Sequence, residues 1–284
     1  MFVADLPRSQ AFYGGVCGLA EILPEPSLGA VFMGNGASHH DVALVEAPKK
    51  DLRGPDGHLL AKGGSVKPGI NHLAFEMETE RQLVEAYELA VKTGTAIERT
   101  TDHGVAHSVY LRTPDGLMLE LFADTTSDWR SKFHKPGDGA QSVAWQPRPE
   151  AASSEARFRD DAPVWRHDVA PLHPRRIDHA GLTVTDLDDS VDFMRAAIGL
   201  EVTETRGGKV GLAGGTGPCL VLEQGGRPAV NHIAFELHQP FDSDELERAG
   251  AAVDARRDEP HRRSIFLVDP DGLRVELFFV PRSR

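Results

Sequence analysis

The sequence predicts an α+β fold: two tandem domains, each made of paired βαβββ modules that form a half-open barrel around a central cavity. Three observations predict it. The segment FVADLPRSQAFYGGVCGL near the start returns as LTVTDLDDSVDFMRAAIGL from Leu182, an offset of 181 residues at Asp5 and Asp186. INHLAFEM around His72 returns as VNHIAFEL around His232, and HSVYLRTPDGLMLELF returns as RSIFLVDPDGLRVELF, so the chain is a duplication. Within each copy, β-branched alternating stretches surround a single helical stretch, twice over.

In the second copy IDHAGLTV alternates as a strand does. The stretch after it reads as a helix capped by Asp186 or Asp188 and stopped at Gly199. Short strands follow, with hairpin turns in GGKVGLAGGTG, which lacks the Lys-Ser/Thr helix start of a phosphate cradle. VNHIAFEL opens the second pass, a helix falls near DSDELERAGA, and the DPDG beginning at Asp269 turns the final hairpin. The repeated PDG is read as a turn-former alone. The first copy has a longer middle, and its excess KKDLRGPDGHLLAKGGSVKPG reads as a loop by its turn chemistry. Residues 126–174, rich in Pro, Ser, Ala and charge without a steady period, read as a linker between domains at 1–125 and 175–284. Trp129, Trp145 and Trp165 in that linker are expected to be buried against a domain rather than to stack on a ligand.

Composition narrows the chemistry. At 284 residues the chain is long enough for a core in each domain. No apolar run approaches the roughly 20 residues needed to span a bilayer, and MFVADLPRSQ lacks the pattern of a signal peptide. A soluble, cytoplasmic protein is expected. A net charge of −12 with scattered basic residues argues against nucleic acid as a partner. Cys17 and Cys219 are too few for a disulfide framework or a thiolate cluster, so a metal would rely on imidazole and carboxylate among 13 histidines.

Those groups recur in strands. If the strands of the second copy curl into a half-barrel, His179, His232 and Glu276 converge as two imidazoles and one carboxylate on one face of a metal, leaving adjacent positions open. This donor set suits a non-haem Fe(II) that binds an organic chelate and dioxygen, with Mn(II), Ni(II) or Zn(II) as alternatives. A strand histidine is more often a core or surface residue, but the first copy repeats both the Asn-His motif, at His72, and the PDG-x3-Glu motif, at Glu120.

These strings resemble the vicinal-oxygen-chelate superfamily of glyoxalases, bleomycin-resistance proteins and extradiol dioxygenases, over nearly the whole chain except the linker. Through SHHDVALVEAP, INHLAFE and DHGVAHSVYLRTPDGLMLELF, the first copy looks most like the catalytic domain of catechol 2,3-dioxygenases. The resemblance implies iron ligands at His72 and Glu120, and groups that handle protons and orient substrate at His40, His103 and Tyr110. The position equivalent to His179 falls before Met1, so the third ligand of the first copy is absent from this chain. Either the natural protein begins earlier or this copy has lost its metal.

The second copy has all three ligands but no counterpart of His40, carries Phe266 in place of Tyr110, and leaves only His261 as an acid/base candidate. Glu223 is a possible fourth ligand of the isomerase type, though a solvent-facing Glu223 is the favoured reading. The expected activity is Fe(II)- and O2-dependent extradiol cleavage of a catechol-type aromatic diol, by a homo-oligomer. A glyoxalase-type metal isomerase or lyase, needing Glu223, and a non-catalytic protein that binds an aromatic ligand are the alternatives.

Overall fold

A computed structural model describes residues 1–54, 57–132, 137, 142–157, 170–259 and 261–281. The first domain runs β1 (Phe2–Val3), α1 (Leu6–Gln10), β2 (Ala20–Glu25), β3 (Ala30–Gly34) and β4 (Val42–Glu46). After the short strands β5 (Leu52–Arg53) and β6 (Leu59–Ala61) come β7 (His72–Glu76), α2 (Glu80–Thr93), β8 (Ile97–Asp102), β9 (Ala106–Arg112) and β10 (Met118–Asp124). β11 (Val143–Ala144) lies in the connecting stretch. The second domain is β12 (Pro174–Val184), α3 (Leu187–Ile198), β13 (Glu201–Arg206), β14 (Lys209–Gly214) and β15 (Gly217–Gln224). It continues with β16 (Ala229–Leu237), α4 (Ser243–Arg248), β17 (Val253–Glu259), β18 (Arg262–Val268) and β19 (Arg274–Phe279). The second domain is therefore βαβββ twice, in an open eight-stranded sheet ordered β13-β14-β15-β12-β16-β19-β18-β17.

Local chemistry sets the helix limits. Asp186 accepts a hydrogen bond from the Asp189 N–H at the start of α3, and Gly199 closes it with φ 81°. Thr79 and Gln82 form a reciprocal capping box at the start of α2, and Gly94 closes that helix with φ 70°. The loop predicted in the first copy's insert is more ordered than its turn chemistry suggests, because β5 and β6 pair as a small hairpin.

The central seam differs between the domains. β12, 11 residues long, pairs parallel with β15 and antiparallel with β16, joining the two modules into one sheet. In the first domain β1 has two residues and pairs with β4. Its half, β1-β4-β3-β2, and the other half, β11-β8-β9-β10-β7, are separate sheets, linked at this seam, among the described residues, by one Phe2–Gly69 bridge.

One apolar core runs through both domains, with Val3, Tyr13 and Leu19 of the first in the same cluster as Leu172, Leu182 and Phe235 of the second. Full burial of each such side chain is worth about 1.5–3 kcal/mol. The PDG turns, expected only to turn the chain, also join the domains. Asp115 accepts from the Thr185 N–H at 3.1 Å and from its hydroxyl, while Asp271 accepts from the Ala4 N–H at 3.1 Å. The buried Tyr13 hydroxyl donates to Asp269 at 2.9 Å. Each copy's turn thus holds the other copy's first strand-to-helix junction.

The stretch after the first domain lies against it. Trp129 is buried, β11 pairs with β8, and Trp145 stacks on His107 with rings 4.3 Å apart and 17° from parallel. His107 in turn bonds Glu80 at 2.8 Å. Trp165 lies outside the described residues. Among the described residues, no helix is long and apolar enough to cross a membrane.

Candidate functional site

Register brings the second copy's groups together. Across β12, β16, β19 and β18 the pairs are His179–Ala234, Ala234–Glu276 and Glu276–Phe266, so His179 and Glu276 sit at one level of the sheet. His232 is two residues from Ala234 and shares its face, because side chains alternate along a strand. Its ring lies directly over Gly181, its cross-strand partner. A Cβ at Gly181 would stand 2.3 Å from His232 Cε1 and 2.5 Å from Nδ1, so only glycine leaves room for that ring.

The result is a compact triangle. His179 Nε2 and His232 Nε2 are 3.2 Å apart, and Glu276 Oε2 is 3.7 Å from the first and 3.6 Å from the second. Bonds of about 2.1 Å at octahedral to tetrahedral angles need ligand–ligand edges of about 3.0–3.5 Å, so these atoms fit a first-row divalent ion with little adjustment. His179 Nδ1 bonds the buried Asp178 carboxylate at 2.8 Å, which places that proton on Nδ1 and turns Nε2 toward the triangle. Burial, reinforced by the charge of His179, holds the His232 imidazole well below its usual range, so it is neutral and able to ligate at pH 7. The other oxygen of Glu276 is taken by Arg262 Nη2 at 2.7 Å.

The first copy forms a related but different cluster. His72 Nε2 lies 3.0 Å from Glu120 Oε2, with His72 Nδ1 bonded to Asn71 at 2.7 Å. Tyr110 donates to Glu120 Oε1 at 2.8 Å and lies 3.1 Å from His103 Nε2, and the Arg99 guanidinium sits 3.9 Å above the Tyr110 ring. Burial alone would raise the Glu120 carboxyl. The hydrogen bond and charge of His72, with His103 behind it, outweigh burial and hold Glu120 below the usual carboxylate range. Burial, then Glu120's charge, pushes the Tyr110 hydroxyl well above its ordinary value despite Arg99. Burial and the neighbouring His39 hold His40 well below the usual imidazole range.

A cavity of about 1030 Å³ is lined by His40, His72 and Glu120 from the first copy and by Asp178 and His179 from the second. Glu76, on the same wall, is pushed up to about 8 by burial and then by Asp124 and Asp41.

The structure brings together His179, His232 and Glu276, and separately His72, Glu120, His103 and Tyr110, with His40 facing the shared cavity. One expectation on the second copy changes, and one alternative drops out. His261 is exposed in the turn before β18, and among the described residues no hydrogen bond or ion pair joins it to the triangle; the adjacent Arg262 is the residue that reaches Glu276. Glu223 pairs in register with Thr183, four residues along β12 from His179, which at about 3.3 Å per residue is roughly 13 Å away. It is bound by Asn231 and Lys209 and stays outside the ligand group. Sequence reasoning missed Asp178, Gly181, Arg262, Arg99 and Asn71. Only the Asp-His and Asn-His dipeptides carried a readable signal, as adjacent groups able to orient a ring.

Comparison with known proteins bears on the family and the fold. The family model described as "Glyoxalase/Bleomycin resistance protein/Dioxygenase superfamily" matches residues 1–121 and 176–277. The chain is 31% identical over 120 residues to biphenyl-2,3-diol 1,2-dioxygenase 3 of Rhodococcus globerulus, a match covering 42% of this chain and 58% of that protein. The chain spans about half the length of the curated relatives it matches. Among solved structures it is similar to a Mn(II)-bound glyoxalase from Novosphingobium aromaticivorans, with TM-score 0.64 and 17% identity over 98% of this chain and 79% of that one. It is also similar to a variant of homoprotocatechuate 2,3-dioxygenase from Brevibacterium fuscum, with TM-score 0.62 and 17% identity over 98% of this chain and 68% of that one. The two solved structures share this chain's fold, and this chain belongs to the glyoxalase/bleomycin resistance protein/dioxygenase superfamily.

Proposed function

We propose that this chain is an extradiol ring-cleaving dioxygenase that uses Fe(II) and O2 on a catechol-type aromatic. The observation that carries the reading is the His179–His232–Glu276 triangle, whose edges and donor set suit a facially bound divalent ion. These three residues would hold the metal. When bound, such an ion supplies a template for a vicinal diol and dioxygen on adjacent positions and a path for electrons between them. The similarity to biphenyl-2,3-diol and homoprotocatechuate dioxygenases supports this substrate class.

The rest of the work falls to side chains. Asp178 fixes His179's tautomer, and Gly181 lets His232 close over the strand. In the first copy, His103, Tyr110 and Glu120 form a continuous hydrogen-bonded chain, and His72 meets Glu120 from the other side. A neutral His40 facing the cavity is suited to accept a hydrogen bond from a diol hydroxyl, and Tyr110, held protonated, keeps its hydrogen bond to Glu120. His72 and Glu120 are proposed as two ligands of a second centre.

The glyoxalase-type reading loses its fourth ligand, because Glu223 stands apart from the triangle. The test is oxygen uptake by Fe(II)-reconstituted protein across a panel of catechols, together with absorbance of a yellow ring-fission product. Uptake matched by product supports the reading. Metal binding without oxygen uptake on any catechol rejects it, and ligand binding with neither leaves a binding protein.

A further inference from the structure

A second cavity, of about 450 Å³, lies between the two PDG turns, where the copies meet. Counterparts from both copies wall it: Ile70 and Val230 from the strand entries, and Leu117 and Leu273, with Asp115 and Asp271, from the turns. The pseudo-symmetry fails at one place. Among the described residues, α3 contributes Ser190, Phe193 and Met194 to the wall, while their first-copy counterparts Ser9, Phe12 and Tyr13 are buried outside it. In that first half the Tyr13 hydroxyl donates to Asp269 of the opposite turn at 2.9 Å. The matching pair in the other half is Met194 and Thr113, where a thioether has no proton to donate, and the cavity opens beside them.

The walls set what the cavity accepts. Apolar cavities of about 150 Å³ hold benzene, so this one has room for one or two fused rings. Its polar side chains are few. Thr113 accepts from the Leu117 N–H at 3.1 Å and keeps its own proton to donate, and Ser190 brings a second hydroxyl. Asp115, Asp269 and Asp271 also face the cavity, and among the described residues no lysine or arginine does. Burial lowers the Met1 amine to about 5, so it is neutral at pH 7. An anion would therefore be buried against like charge without a partner. A cation would find the carboxylates already engaged by Thr185, Tyr13 and Ala4.

We propose that this cavity is a further binding site, separate from the His179–His232–Glu276 triangle, for a neutral hydroxylated aromatic, a phenol. The chain itself supplies the precedent, because the phenol ring of Tyr13 closes the other half of the same interface with its hydroxyl on Asp269. A free phenol takes the corresponding place beside Met194, with the hydroxyl of Thr113 or Ser190 as its partner. Leu182, which lines the cavity, is three residues past His179 on β12, so the site lies roughly 10 Å along the strand from that residue and needs no metal.

The test uses the metal-free full chain, so that no ion chelates the probe, and three naphthalenes of similar size: 2-naphthol, neutral at pH 7 as phenols are, 2-naphthoate and 2-naphthylmethylammonium. Equilibrium dialysis is expected to show 2-naphthol bound at least about tenfold more tightly than either ion. Ala229 is exposed at the rim, so Ala229→Trp covers the mouth without entering the core and is expected to weaken 2-naphthol by about tenfold or more. Met194→Tyr combined with Thr113→Asp carries the Tyr13–Asp269 pair into the open half and is expected to abolish binding. Circular dichroism checks that this double variant folds; if it does not, Ala229→Trp alone decides. Unchanged 2-naphthol binding in the folded variants overturns the proposal, as does either ion binding as tightly as 2-naphthol, or no saturable binding of 2-naphthol to the wild type.

Discussion

Gly181→Ala tests how the second-copy centre is assembled. Its Cβ would sit 2.3 Å from His232 Cε1 and 2.5 Å from Nδ1, where carbon contacts ordinarily lie at about 3.5–4.0 Å. The ring must therefore withdraw by more than about 1 Å, several times the roughly 0.2 Å that a ligand bond tolerates. His232 is then lost from the triangle, although its own sequence is untouched. Loss of an orienting neighbour alone costs 10–100-fold in metal affinity, so loss of a ligand is expected to cost at least about 100-fold, or about 2.7 kcal/mol. Competition with a chromophoric chelator measures the affinity, and far-ultraviolet circular dichroism checks that the sheet is intact. A folded Gly181→Ala protein that binds Fe(II) or Co(II) within threefold of the wild type would refute this reasoning.

Other expectations can be checked alongside. Asp178→Ala releases the His179 tautomer and is expected to lower metal affinity 10–100-fold by the same chelator competition, with little change in thermal midpoint. Glu76 has a folded-state pKa of about 8, above its ordinary 4.5, so its contribution is fully present below pH 4.5 and is lost as pH rises toward 8. Glu76→Gln should therefore stabilise the protein at pH 8 by on the order of 2–4 kcal/mol and by much less at pH 5. Urea titrations at both pH values decide this, and a pH-independent difference would count against it. Asp271→Ala removes the bond to the Ala4 N–H and is expected to cost about 1 kcal/mol in the same titrations, with metal affinity unchanged.

Much of this fold was legible because the chain repeats itself. Strand alternation, the Asp186 and Gly199 caps and the PDG hairpins are local signals, and the structure realises each of them. The triangle was legible for a related reason: His179, His232 and Glu276 are polar residues inside apolar strands, and duplication marked two of the three positions twice. What escaped was whatever depends on register between strands. Gly181 matters only because β12 and β16 place it opposite His232, and Arg262 only because Phe266 leaves Glu276 without a donor. Glu223, already favoured as a residue outside the ligand group, is separated from His179 by four residues of register along β12. His261 was chosen by residue type, and it lies exposed in the turn while its neighbour Arg262 reaches Glu276. The PDG aspartates were assigned to turns alone because their partners lie in the other copy.

The proposed reaction is tested most directly by isotope. Fe(II)-reconstituted protein is given a catechol under ¹⁸O2 and the product is weighed by mass spectrometry. The expected product is the ring-opened catechol carrying both atoms of one dioxygen molecule, formed by the wild type and lost in Glu276→Ala. Recovery of unchanged catechol, incorporation of a single oxygen atom, or undiminished product from Glu276→Ala would contradict it.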